Sequence, residues 1–210
     1  NPRSEKEYVT GEQQAGLEGY LDGDGISSYL NNLYQNVDIY DANISLLSTQ
    51  FVGPLSGLAP AMYRFYIMDT IEYQGSRVVD IFFAPRNKSD LAFMGNMLVS
   101  LDSSYAVRKV QMGISKDINL NWVSDLQIEQ EFDFFGTDKN RRLMLVKDDI
   151  SMNFQIIKSE KGRSILGRKS VSYRNYQLNQ ILPDSLFRNQ VTTVVDETST
   201  RRSAGFWTEN

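Results

Sequence analysis

The sequence predicts a mainly β domain of the α+β kind: one antiparallel sheet, curled into a half-barrel or open barrel, with one or two helices packed on one face. Three observations carry that expectation. From Ala61 to Phe134, apolar and polar residues alternate in successive runs, the period-2 signature of strands with two unlike faces. Polar turn signals separate those runs at intervals of about 10–15 residues, the rhythm of an antiparallel meander. Tyr and Phe, 11 of each, enrich the chain in strand formers.

The elements follow in order. Residues 1–18 read as a flexible polar lead-in. Ile26, Tyr29, Leu30, Leu33, Tyr34 and Val37 recur at helical spacing, with Asp24 or Ser27 as the cap. Ile44 to Phe51 is a second, weaker segment, and Val52-Gly53-Pro54-Leu55-Ser56-Gly57 is a loop by its glycines and proline. The first strand carries Tyr63, Phe65 and Ile67 on one side and Arg64, Tyr66 and Met68 on the other. After the turn Gln74-Gly75-Ser76 comes Arg77 to Phe83, with Val79, Ile81 and Phe83 in phase. Phe93 to Leu101 aligns Met97, Val99 and Leu101. Tyr105 to Ile114 aligns Val110, Met112 and Ile114.

Val123 to Phe134 divides most sharply. Leu126, Ile128, Phe132 and Phe134 share one side around Gln130, and Asp125, Gln127, Glu129, Glu131 and Asp133 share the other. Such a split requires one buried and one wet face. Strand-like runs continue at Leu143 to Val146, Ile150 to Ile157 and Ser164 to Leu178, with turns at Gly136 to Asn140 and Glu160 to Gly162. One domain over residues 19–182 is expected, followed by a polar tail or linker over 183–210.

Composition removes many chemistries. The 210 residues include no His and no Cys. Without imidazole there is no Ser-His-Asp relay; without thiols there are no disulfides, thiolate metal sites or Cys nucleophiles. No Ser stands three residues before a Lys, so the S-x-x-K spacing is absent. Ser56 has the wrong glycine spacing for a nucleophile elbow. Neither G-x-x-x-x-G-K-[ST] nor G-x-G-x-x-G occurs. The net charge of −4, with 22 scattered Lys and Arg, argues against nucleic acid as a partner. No apolar run approaches the ~18–20 residues of a membrane-spanning helix, so no transmembrane segment is expected. The start, Asn1-Pro2-Arg3-Ser4-Glu5-Lys6, lacks the apolar stretch of a signal peptide, and the chain is expected to be an excised domain or mature fragment.

Three groups of residues invite a function. Asp22-Gly23-Asp24-Gly25 resembles the start of a calcium loop, but the bidentate acid eleven residues on is replaced by Leu33; a turn and helix cap is the better account. The acidic stripe Asp125, Glu129, Glu131 and Asp133 reads as a solvated face. Paired carboxylates for glycoside hydrolysis stay open, since 26 acids form many pairs that only geometry sorts. The apolar stripe Tyr63, Phe65, Ile67, Val79, Ile81, Phe83, Met97 and Val99 has two readings: the lining of an apolar-ligand groove, or an ordinary sheet core. Met is an adaptable lining for irregular apolar ligands.

Leu21 to Leu30, Asp38 to Ile44, Phe83 to Leu91 and Ile118 to Val123 resemble a family of uncharacterised Bacteroidetes cell-envelope proteins. Members carry a carboxypeptidase-regulatory-like β-sandwich at the N-terminus, and many end in an outer-membrane β-barrel. The resemblance spans about Gly19 to Trp207 and implies that this chain is the middle segment, with no assigned chemistry. The strand order Tyr63 to Asp69, Val78 to Pro85, Met97 to Leu101 and Tyr105 to Met112 is similar to periplasmic lipoprotein carriers. That likeness implies an open half-barrel with a hydrophobic concave face.

The expectation is therefore a non-catalytic periplasmic module, or one at the periplasmic face of the outer membrane, without cofactor or metal. It binds a lipid or other apolar ligand in a concave sheet lined by the eight-residue stripe. The alternative is a structural or protein-interaction scaffold next to an outer-membrane barrel or another envelope protein. A carboxylate-dependent hydrolase is the third.

Overall fold

The computed structural model describes residues 7–11, 35–118, 120, 123–137, 140–155, 164–178, 180, 181, 183, 185 and 193–209. The chain divides into two compact units, residues 25–176 and residues 1–24 with 177–210.

The larger unit is built on one seven-stranded sheet. Its strands are β4 (Tyr63–Tyr73), β5 (Ser76–Pro85), β6 (Phe93–Ser100), β7 (Val107–Ile114), β8 (Val123–Phe135), β9 (Arg142–Gln155) and β10 (Ser164–Ser172). They lie side by side in chain order, each antiparallel to the last. The sheet is an open meander with β4 and β10 as its edges and does not close into a barrel. A smaller hairpin, β2 (Asn43–Leu46) and β3 (Thr49–Val52), precedes it. A four-residue helix, α1 (Ala59–Met62), leads directly into β4.

Alternation sorts the sheet into two faces. Across β7, β8 and β9, Met112, Ile128 and Ile150 stand in one row, with Leu126 beside Met152 in the next. All five are essentially inaccessible. Each such side chain contributes about 1.5–3 kcal/mol by leaving water, so this apolar face is the core. Among the described residues its cover is mainly the β2–β3 hairpin. Ile44, Leu46 and Phe51 are buried against it, and the Phe51 ring lies 5.0 Å from that of Phe93. Val52 N–H donates to the Leu91 carbonyl at 2.9 Å, fixing the hairpin to the start of β6.

The hairpin itself is the element the sequence did not announce. Among the described residues the cover is the hairpin and the short α1. The hairpin turn is Leu47-Ser48, with φ of 52° and 65°. That is the left-handed pair a two-residue hairpin loop requires, but without the Asn-Gly chemistry that usually announces it. The turn between β4 and β5 has the same geometry at Gln74 and Gly75, φ 47° and 71°, and there Gly75 makes it visible. The helix expected from Ile26 falls mostly outside the described residues, as do Asp22-Gly23-Asp24-Gly25 and the turn at Glu160 to Gly162. Val37, at its end, is buried and not helical.

The smaller unit joins the two chain ends. β1 (Glu7–Val9) pairs in parallel with β11 (Thr193–Val195). A 3-10 turn (Ser199–Arg201) and a helix, α2 (Ala204–Glu209), follow. Arg202 ties the unit together: its Nε donates to the Thr10 carbonyl and its Nη2 sits 2.6 Å from Asp196.

Candidate functional site

The direction in which the sheet curls decides what each face can do. Tyr73 at the end of β4 and Glu131 in β8 are separated by three strands. In a flat sheet that is about 19 Å, beyond the reach of the two side chains. Yet the Tyr73 hydroxyl donates to Glu131 Oε2 at 3.3 Å. Arg108 Nη2 likewise reaches Gln74 Oε1 at 2.9 Å and Asp133 Oδ1 at 2.8 Å. The sheet therefore curls toward the face that carries Tyr73 and Glu131, and that face is concave and polar. The hydrophobic stripe lies on the opposite side, which is convex at this corner. The contacts that span the bend, Tyr73 to Glu131 and Arg108 to Gln74, hold that corner together from the polar side.

That polar face is a ladder of alternating charge. Lys109 Nζ lies 3.1 Å from both Glu129 and Glu131, and Lys147 Nζ lies 3.1 Å from Glu129 and Asp149. Arg168 extends the chain to Asp149 at 3.0 Å. Gln111 donates to Glu129 at 2.5 Å. This bond first, with Lys147 and Lys109 behind it, outweighs burial and brings the Glu129 pKa down to about 2. Asp149 is also lowered: burial opposes the shift, and hydrogen bonds from Ser170, Arg168 and Lys147 overcome it. General acids need the opposite shift. Between β4 and β7 the curl leaves a cleft of about 310 Å³ lined by Tyr73, Asp80, Asn96, Leu98, Lys109 and Gln111. Asn96 donates to Asp80 there at 2.9 Å.

The convex face holds all eight residues of the apolar stripe, on three adjacent strands. One row runs Phe65, Phe83, Gly95, Met112; the next runs Ile67, Ile81, Met97, Val110; Val79 and Val99 face each other beyond it. Their environments differ. Tyr63, Phe83 and Met97 belong to the filled core. The Tyr63 hydroxyl donates to the Val52 carbonyl at 2.5 Å and accepts from Phe93 N–H at 3.0 Å. Burial pushes its pKa up to about 12, against a smaller opposing effect of that N–H. Val79, Ile81 and Val99 are half-buried. Phe65 and Ile67 are open, Ile67 at 77%. The rings of Tyr63, Phe65 and Phe83 form one cluster, with centroids 5.9–6.4 Å apart, so the buried core runs without a break into exposed apolar surface.

Sequence reasoning missed the other half of that surface. Tyr66 and Ile71 on the opposite side of β4, and Met68 at an irregularity in its pairing, are also exposed. The signal was present. Tyr66, Ile67 and Met68 are consecutive apolar residues that alternation leaves on both faces, in the first strand of the meander and hence at an edge.

A buried polar group also lies on the core face. Gln130 Nε2 donates to the Val37 carbonyl and to Asp148 Oδ1, both at 2.8 Å, and Lys169 Nζ is 3.2 Å from Asp148. Among the described residues no group of three or more His, Cys, Asp or Glu is arranged to hold a metal ion, and no helix is long and apolar enough to cross a membrane.

The sequence model of one protein family, described as "Family of unknown function (DUF5686)", matches residues 17–176. No curated protein and no solved structure matches the chain.

Proposed function

The chain belongs to the DUF5686 family of unknown function, and on the geometry of its open apolar corner we propose that it is a non-catalytic interaction module. Its working surface is the convex corner of β4 and β5, where Phe65 and Ile67 lie bare beside the buried Phe83 and Met97. That break in cover is the observation that carries the reading. Contiguous exposed apolar surface of this kind is the ordinary mark of a docking site. The setting we propose is the cell envelope, in the periplasm or at the periplasmic face of the outer membrane, beside an outer-membrane barrel. The support is the resemblance of Leu21 to Leu30 and Phe83 to Leu91 to envelope proteins. The lowered carboxylates of the concave face support a role other than hydrolysis.

A second reading is favoured by the half-burial of Val79, Ile81 and Val99. These half-covered side chains continue the apolar surface from Phe65 and Ile67, and an acyl chain laid along the convex face would complete their burial. The test uses dilute protein and the apolar dye 1-anilinonaphthalene-8-sulfonate. The folded chain is expected to bind the dye saturably, and Phe65→Glu with Ile67→Glu to abolish binding with unchanged far-UV circular dichroism. No binding by the unaltered chain would sink the docking surface. Titration with laurate then separates the readings: competition with the dye supports the acyl chain, and indifference supports a protein partner.

A further inference from the structure

We propose that two copies of this chain pair through their β4 edges, antiparallel and about a two-fold axis, into one continuous sheet. The inference rests on the docking reading above and names its partner. Among the described residues β4 is hydrogen-bonded only to β5, and every residue from Arg64 to Glu72 is exposed. A strand this long with a bare edge presents unpaired N–H and C=O groups to any extended chain. It is apolar on both faces, with Phe65 and Ile67 on the convex side and Tyr66 and Ile71 on the concave side. A helix or lipid covers one face only; another strand of the same character flanks both.

Charge points to a second copy. Asp69 stands directly opposite Asp80 of β5, and like charges at such positions repel. Among the described residues neither forms an ion pair, and neither does Arg64. Arg64 opposes Ala84 and Asp69 opposes Asp80, which places Arg64 and Asp69 on the same face, toward opposite ends of the strand. Antiparallel self-pairing brings each Arg64 toward the second copy's Asp69, twice by symmetry, and sets a cation against the carboxylate pair.

Area agrees with a modest complex. The bare portions of Phe65, Tyr66, Ile67, Met68 and Ile71 amount to roughly 600 Å² per copy, taking large side chains at about 150–250 Å² each. Two copies give at most about 1,200 Å², the lower bound for specific interfaces, so a concentration-dependent dimer is expected. Because the contact is isologous it closes at two and does not propagate.

Sedimentation equilibrium of the 210-residue chain, from micromolar to near-millimolar concentration, tests the pairing. The expected mass rises from one copy to two. Arg64→Asp alone and Asp69→Arg alone each weaken association by about tenfold or more, since reversal turns two attractions into repulsions. The double swap, Arg64→Asp with Asp69→Arg, restores it. Ile67→Lys gives a folded monomer. A monomer at every concentration, a mass that climbs beyond two, or a dimer indifferent to both single reversals would overturn the proposal. A monomer that still binds the apolar dye defeats the pairing and leaves the docking surface standing; a chain that neither pairs nor binds dye defeats both.

Discussion

The hydroxyl of Tyr73 lies 3.3 Å from the carboxylate of Glu131, 58 residues away and three strands across the sheet. This contact, with the Arg108–Gln74 bond near it, spans the mouth of the curl. Burial, then the Glu131 charge, raises the Tyr73 pKa. Tyr73→Phe removes one partly buried hydrogen bond and is expected to cost about 0.5–1.5 kcal/mol in urea unfolding. Ultraviolet titration should show the Tyr73 phenol ionising at lower pH once Glu131→Gln removes the neighbouring charge. An unshifted tyrosine titration would show that the curl is not closed by this pair.

Acid should loosen the concave ladder. The Glu129 pKa, 4.5 ordinarily and about 2 here, is depressed on folding. Its contribution to stability is therefore complete above about pH 4.5 and is lost as pH falls toward 2. Melting temperatures measured across that window should fall less steeply in Glu129→Gln than in the unaltered chain. Equal slopes would mean the Lys109–Glu129–Lys147 bridge is not formed.

Tyr63 predicts the opposite limb. Its pKa is raised from 10.0 to about 12, so the stability it supplies is complete below pH 10 and fades as pH rises through 12. Tyr63→Phe leaves the buried Phe93 N–H and Val52 carbonyl without their hydroxyl, at an expected cost of about 1–3 kcal/mol. Chemical denaturation at neutral pH measures it directly; a neutral effect would place the hydroxyl in water.

Two phenylalanines opposite each other across β4 and β5 separate core from surface. Phe83 is fully buried and Phe65 is not. Phe83→Ala should cost about 3–5 kcal/mol by loss of burial and by the cavity left. Phe65→Ala should cost well under half of that in the monomer. Comparable losses at both positions would show that something covers Phe65.

Gly95 is expected to tolerate no side chain. A Cβ there would collide with the Gln111 carbonyl and lie 2.7 Å from Met112 Cα, both backbone of the neighbouring β7. Gly95→Ala must push β6 from β7, and its amide hydrogens should exchange faster along that pair of strands. Unchanged protection would contradict the close approach.

Much of this was readable from residue order because alternation is local. In β8, Leu126 and Ile128 are buried while Asp125 and Gln127 are exposed, as their positions alone imply. The turn at Gly75 was equally plain. The β2–β3 hairpin was not, because Leu47 and Ser48 adopt left-handed backbone without the residues that favour it. Nor was the unequal fate of Phe65 and Phe83, which share a face and a residue type. One sits on an edge strand past the hairpin's cover, and no neighbour in sequence encodes that.

Residue order determined which side chains share a face, because a strand turns successive side chains to opposite sides whatever it packs against. The assembled sheet decided which way that surface bends and where its cover stops. Those depend on Tyr73 and Arg108 reaching partners several strands away and on a hairpin packed on the core and fixed at the start of β6. Such contacts join residues far apart in the chain, and their strength comes from charges and apolar surfaces that only folding brings together.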